Sequence, residues 1–176
     1  GDRAGAVERD PPAQSAEAIR ASLVQAQLSL TSDSNASAFL VQDAEAVYQT
    51  ELSDRIAAIH PDAHQRILSA FASLSESVAD GDVVSFAAAR AQLWTGILAG
   101  SYAIVEDAIR NGDGATAQTW LPLREFRIAT RFARPSVGAT LAVDSFLAGD
   151  LSAEDALRSV RADVLDTYQA RMNEAL

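Results

Sequence analysis

A run of arginines between residues 124 and 134 is the part of this sequence whose residue types and spacing point most clearly to chemistry. Read as a helix, Trp120, Arg124, Arg127 and Arg131 fall at i, i+4, i+7 and i+11 and form one narrow stripe, which Arg134 follows. The stripe has apolar borders, which predicts guanidinium groups lying partly between helices; the bordering residues are Leu121, Leu123, Phe126, Ile128 and Phe132. Because a guanidinium group cannot lose its proton there, each arginine needs carboxylates, carbonyls or a bound anion.

Two interpretations of this arginine stripe stay open. In the first, the four arginines pair with acidic residues of neighbouring helices and hold the helices in register. In the second, they bind an anionic ligand or an acidic segment of a partner protein. Arg90 and Arg161 lie on the apolar sides of their own predicted helices, so they too imply specific acidic partners.

The candidate metal ligands are two histidines and one glutamate. His60 and His64 stand at i and i+4, a spacing that places two imidazoles on one face of a helix, although Pro61 puts His60 at or before the helix start. Asp62 or a carboxylate of another helix could supply a third ligand. Glu125 lies among apolar residues and is expected either to pair with an arginine or to bind a cation. Surface histidines without a metal are the simpler alternative.

Composition and motifs exclude several classes of function. A net charge of −10 disfavours binding to nucleic acid or to an anionic membrane surface. The longest uncharged apolar run, Ala91–Val105, is 15 residues, which is too short for direct insertion into a membrane. There is no cysteine, no Gly-x-Ser-x-Gly elbow and no phosphate-binding glycine motif, so an enzyme is not expected.

The hydrophobic pattern predicts an all-α fold, an up-and-down bundle of six or seven helices. Residues 1–12 read as a disordered tail, and 13–176 as one helical domain. The helix over 83–110 is apolar over most of its circumference and is expected at the centre of the bundle. The other helices are predicted over 13–30, 36–59, 61–79, 115–133 with a kink at Pro122, 135–148 and 152–176.

Two segments resemble a known protein family. Trp120-Leu-Pro-Leu-Arg-Glu-Phe-Arg127, with the Thr130–Pro135 and Ala139–Ala142 segments after it, is similar to the soluble region preceding the membrane part of bacterial high-affinity iron permeases. The closing run Val160–Arg171 is similar to the same region, and the likeness covers about residues 80–176. Transport in that family rests on Arg-Glu-x-x-Glu motifs within membrane helices, and Arg124-Glu125-Phe-Arg127 shares only the first two letters.

The resemblance implies an extracytoplasmic domain, tethered to the membrane, whose partner is the transmembrane permease domain of the same protein. We expect it to act in iron acquisition by binding iron or by contacting a partner, without catalysis. Two other functions stay open: a binding module for a small anionic ligand, such as a carboxylate-bearing iron chelate, at the arginine stripe, and a purely structural helical scaffold.

Overall fold

The computed structural model describes residues 12–123 and 137–163, and every element found in these ranges is helical. The helices are α1 (Pro12–Ser29), α2 (Ser34–Val47), α3 (Ser53–Ile59), α4 (Pro61–Asp80), α5 (Val83–Arg110), α6 (Gly114–Trp120), α7 (Val137–Leu147) and α8 (153–163). A π-helical turn, Tyr48–Leu52, joins α2 to α3. The predicted all-α bundle is confirmed. No helix within these two ranges is long and apolar enough to cross a membrane.

The central position predicted for the helix over 83–110 is confirmed, because α5 packs against α1, α3, α4 and α6. Its largest inward side chains, among them Phe86, Leu93, Ile97 and Ile104, are completely buried. Two glycines of α5 allow close packing, Gly96 against α4 and Gly100 against α3. A β-carbon at Gly96 would lie 2.6 Å from Ile67 of α4, so this crossing requires a residue without a side chain.

Local capping explains most helix boundaries. Asp82 accepts hydrogen bonds from the backbone N–H groups of Val84 and Ser85, which begins α5 where the sequence predicts. Three glycines that follow helices adopt the left-handed conformation, with φ of 67° at Gly81, 73° at Gly112 and 81° at Gly149.

Two helix boundaries differ from the prediction. Helix α1 begins at the buried Pro12, one residue earlier than predicted; the rest of the predicted tail lies outside the described residues, and its disorder stays a prediction. The single helix predicted over 36–59 is interrupted by the π-helical turn. Ala44, Tyr48, Leu52 and Ile56 are all buried, yet a spacing of four rotates successive side chains by about 40° in a regular α-helix. The wider turn absorbs that rotation and keeps the set facing the core.

Candidate functional site

The predicted arginine site begins where the described part of the chain stops. Trp120 and Leu121 are buried, and they line one small cavity together with Tyr102 and Val105 of α5, so the residues entering the stripe are anchored on the central helix. The helix containing Trp120 ends there, two residues before the predicted kink at Pro122. The four arginines of the stripe and the candidate metal ligand Glu125 lie outside the described residues, and their roles stay predictions; the arginines are Arg124, Arg127, Arg131 and Arg134.

His60 is the N-cap of α4, and this position limits its use as a metal ligand. Its Nδ1 atom accepts a hydrogen bond from the backbone N–H of Ala63 at 3.2 Å. An accepting Nδ1 places the proton of the neutral ring on Nε2, which leaves no second lone pair for a metal. His60 could therefore bind a metal only by giving up the cap or its remaining proton.

His64 faces a different neighbour. Its Nδ1 atom lies 2.7 Å from the hydroxyl of Tyr48, and the two rings stack with centroids 5.9 Å apart. Burial raises the pKa of Tyr48 above its ordinary value, so the phenol keeps its proton at neutral pH. Only the His64 tautomer with its proton on Nδ1 leaves Nε2 able to bind a metal.

The described residues do not gather a third ligand around the two histidines. Asp62, the predicted candidate, is exposed to solvent. Within 12–123 and 137–163, no three His, Asp or Glu side chains are arranged so that they could hold a metal ion. The predicted contribution of Glu125 belongs to the undescribed segment, so metal binding by His60 and His64 stays a prediction.

The π-helical turn was not predicted, and it contains two polar side chains that belong to this site, Glu51 and Tyr48. Glu51 in this turn has one carboxylate oxygen, Oε2, that is buried and makes no hydrogen bond within the described part of the chain. Tyr48, from the same turn, supplies the hydrogen bond to His64. Ala44, Tyr48, Leu52 and Ile56 stand four residues apart in the sequence, but only the structure shows that these four form the buried set.

A polar cluster joins α8 to the central helix through Glu106. Arg161 donates from Nε to one oxygen of Glu106 at 2.9 Å, and Arg110 donates to the other at 3.0 Å. The acidic partner predicted for Arg161 is thereby found, but its side chain is 49% exposed and does not point into the core. Arg90, the other arginine predicted to face inward, is half-buried; burial and the charge of Arg20 lower its pKa.

The cluster keeps Glu106 ionised. The hydrogen bond from Arg161 has the largest effect on the pKa of Glu106 and lowers it; the Tyr102 hydroxyl and the charges of Arg161 and Arg110 also lower it, against burial. Burial and the contact with Glu106 raise the pKa of Tyr102 to about 12. Among the described residues, both oxygens of Glu106 therefore accept hydrogen bonds from arginines, and the group is an ion-pair network that joins α8 to α5.

We expect Glu106→Gln to lower the free energy of unfolding at pH 7 by about 1 kcal/mol. A carboxyl whose folded-state pKa is depressed contributes stability above its unfolded pKa of about 4.3 and loses it as pH falls through the folded value. The difference between wild type and variant should therefore shrink below about pH 4. Urea unfolding at several pH values measures it.

Glu154→Gln is the matched control for this prediction. Glu154 pairs with Arg158 at 3.2 Å, but its side chain is 87% exposed, so its removal should change stability by only a few tenths of a kcal/mol. A Glu106→Gln effect that stays constant from pH 7 to pH 3 would contradict the ion-pair explanation.

An open acidic cleft lies between the end of α4 and the start of α5. It has a volume of about 310 Å³ and is lined by Glu76, Asp80, Asp82 and three serines, Ser73, Ser77 and Ser85. The Ser85 hydroxyl and backbone N–H lower the pKa of Asp82, which is therefore ionised at neutral pH. These carboxylates do not form a group of three that could hold a metal ion, so a cation attracted to them would keep its water shell.

Charge is distributed unevenly along the chain around this cleft. Residues 12–82, which form α1 to α4 and their connections, contain ten acidic and three basic residues. Most of these acidic side chains are exposed, including Asp33, Asp43, Asp62, Glu76 and Asp80. The resulting negative field attracts cations and cationic surfaces to this half of the bundle.

Comparison with known proteins gives one family. The sequence matches the model of the iron permease FTR1 N-terminal domain over residues 9–176. No curated protein and no solved structure gives a significant match.

Proposed function

Because the chain belongs to the iron permease FTR1 N-terminal domain family, we propose that it collects iron cations at its acidic surface for the transmembrane part of the same protein. The family is one of transporter components, and its cargo is iron. In this proposal the domain is extracytoplasmic and tethered to the membrane through that transmembrane partner. The family match over nearly the whole chain is the observation that carries the proposal.

The chemistry of the described surface supports iron capture. Iron cations accept carboxylate oxygen, hydroxyl oxygen and water as ligands. The α4–α5 cleft presents such oxygens to the water shell of a passing ion, since Glu76, Asp80 and Asp82 line it together with serine hydroxyls. Aqueous ferrous iron carries its own water shell, which the separated carboxylates can contact without displacing it.

Weak binding is suited to delivery. A site that supplies a membrane pathway must attract the ion and also release it, so tight, multidentate coordination would oppose transfer. The ten acidic residues of 12–82 raise the local cation concentration over a large surface. We therefore expect fast exchange, with a dissociation constant well above the micromolar range and an affinity that falls with ionic strength.

Paramagnetic broadening of backbone amide signals by ferrous iron, under anaerobic conditions, tests the location. Broadening should concentrate around Glu76, Asp80 and Asp82 and extend over the acidic surface of α2–α4. The double variant Glu76→Gln/Asp80→Asn removes two charges from the cleft and keeps Asp82, which caps α5. We expect the affinity to fall roughly tenfold, the effect of losing about 1.4 kcal/mol of attraction.

Asp150→Asn/Glu154→Gln is the charge-matched control, because both residues are exposed and neither lines the cleft. It should leave the dissociation constant within a factor of two of wild type. Equal weakening by both variants would contradict a local site at the cleft. The absence of any broadening would contradict iron capture by this surface.

A further inference from the structure

The outer face of the α1–α2 hairpin carries two exposed rows of uncharged side chains. On α1 the spacing is four, three, four and three residues, through Gln14, Ala18, Ala21, Gln25 and Leu28. On α2 the same spacing recurs through Asn35, Phe39, Gln42 and Ala46, and it continues to Gln49 in the π-helical turn. Such a spacing forms one straight seam along a helix, the pattern by which helices pack on one another. We call the ten residues together the hairpin face.

The contact between Ser22 and Asp43 shows that both rows point the same way. The Ser22 hydroxyl donates to Asp43 at 3.1 Å, so these residues mark the line along which α1 and α2 meet. With a rotation of about 100° per residue, each row is centred about 80° around its helix from the contact residue, Ser22 on α1 and Asp43 on α2. The buried residues of each helix lie on the opposite side of that contact. Since the helices run antiparallel, the two rows share one outer surface, opposite the core.

The two large apolar side chains in this hairpin face are mostly exposed to solvent. Phe39 is 68% exposed and Leu28 is 70% exposed. Charged residues lie at the edge of the face and on the line between its two rows. Glu17 pairs with Arg20 at 3.1 Å at the α1 edge, and Asp43 accepts a hydrogen bond from Ser22 between the rows. The face therefore combines an aromatic anchor with small and amide side chains and with few unpaired charges.

We propose that the hairpin face is a self-association surface, and that its occupant is the same face of a second copy of this chain. The net charge of −10 makes two copies repel each other over most of their surface. An uncharged face lets them approach with the least repulsion. Its five amide side chains are each both donor and acceptor, so identical faces can bond across a two-fold axis without needing an opposite charge.

The size of the hairpin face predicts a weak dimer. Each row spans 15 residues, about 21 Å from the first to the last, and two adjacent helices are about 20 Å wide. Such a face buries on the order of 1,000 Å² in total, the lower end for specific association. A dissociation constant of roughly 10–100 μM is expected, since the alanines permit close approach but bury little area. The proposal goes beyond iron capture and does not depend on it.

Sedimentation equilibrium of the 176-residue chain in metal-free buffer, from about 5 μM to 500 μM, tests the proposal. We expect dimers whose fraction rises with concentration. In Phe39→Glu the dimer dissociation constant should rise at least tenfold. Because Phe39 is exposed, circular dichroism should show that this variant is folded. Leu141→Glu on α7 is the control, because Leu141 is also exposed, at 58%, and lies on another helix. It should leave the dimer unchanged.

A second measurement uses the natural absence of cysteine. Ala21→Cys, at the middle of the α1 row, should form a disulfide-linked dimer on mild oxidation, whereas Ala79→Cys at an exposed position of α4 should not. A monomer at every concentration would overturn the proposal and would assign the face to a different protein. A dimer that Phe39→Glu does not weaken would also overturn it.

Discussion

Gly96→Val is expected to lower the free energy of unfolding by about 3 kcal/mol. A β-carbon at Gly96 would meet Ile67 at 2.6 Å and the backbone carbonyl oxygen of Ala63 at 3.3 Å. The carbonyl belongs to helix α4 and cannot move alone, so α4 and α5 must separate. Valine gains little helix propensity over glycine to offset this loss. Chemical denaturation with urea gives the change.

The control for this substitution is a double-mutant cycle with Ile67→Ala. Removing the isoleucine side chain deletes the nearest contact, so Gly96→Val should cost at least 1 kcal/mol less in the Ile67→Ala background. A Gly96→Val protein as stable as wild type would contradict the close crossing of α4 and α5.

Tyr48→Ala is expected to cost about 4 kcal/mol, in the range found for large aromatic residues of protein cores. Tyr48 is completely buried, packs on Phe71 with ring centroids 5.9 Å apart, and holds His64 through its hydroxyl. Tyr48→Phe keeps the ring and removes only the hydroxyl, so it should cost about 1 kcal/mol. Thermal and urea unfolding of the two variants separate the two contributions.

These Tyr48 variants also report on His64. In Tyr48→Phe the Nδ1 atom loses its partner, so the imidazole NMR signals of His64 should shift while those of His60, held by Ala63, stay in place. Equal stability losses for Tyr48→Ala and Tyr48→Phe would contradict a role of the ring in the core.

Most of the fold could be predicted from the sequence because its helices follow local rules. Asp82 and Gly81 define the junction between α4 and α5, Pro61 supplies the first residue of α4, and the apolar circumference of residues 83–110 places that helix at the centre. Each of these signals operates within a few residues, so no knowledge of long-range packing is needed.

The π-helical turn could not be predicted in the same way, because its cause lies in packing. Tyr48 and Leu52 are both buried, and the turn packs against α1 while the Tyr48 ring packs on Phe71 of α4. Only this tertiary arrangement decides that a wider turn is needed. The spacing of the histidines was similarly ambiguous: i and i+4 fits a shared helical face, but His60 serves as a cap and His64 turns to Tyr48.

The candidate site was predicted less well than the fold. The stripe of Arg124, Arg127, Arg131 and Arg134, with Glu125, remains a prediction from spacing alone. The acidic cleft combines Glu76 and Asp80 of one helix with Asp82 and Ser85 from the start of the next. Pairing of residues across a helix junction follows from the antiparallel packing of α4 and α5, which charge counting along the sequence does not provide.

Anaerobic calorimetric titration of the metal-free chain with ferrous iron tests the central claim most directly, with ferric citrate and zinc titrated in parallel. Our account predicts saturable ferrous binding that weakens as salt is raised and is reduced in Glu76→Gln/Asp80→Asn. A site at the histidines would instead be lost in His64→Ala, and one at the undescribed glutamate in Glu125→Gln. The absence of saturable heat with ferrous iron, at low and at physiological ionic strength, would contradict the proposal that this domain collects the cation.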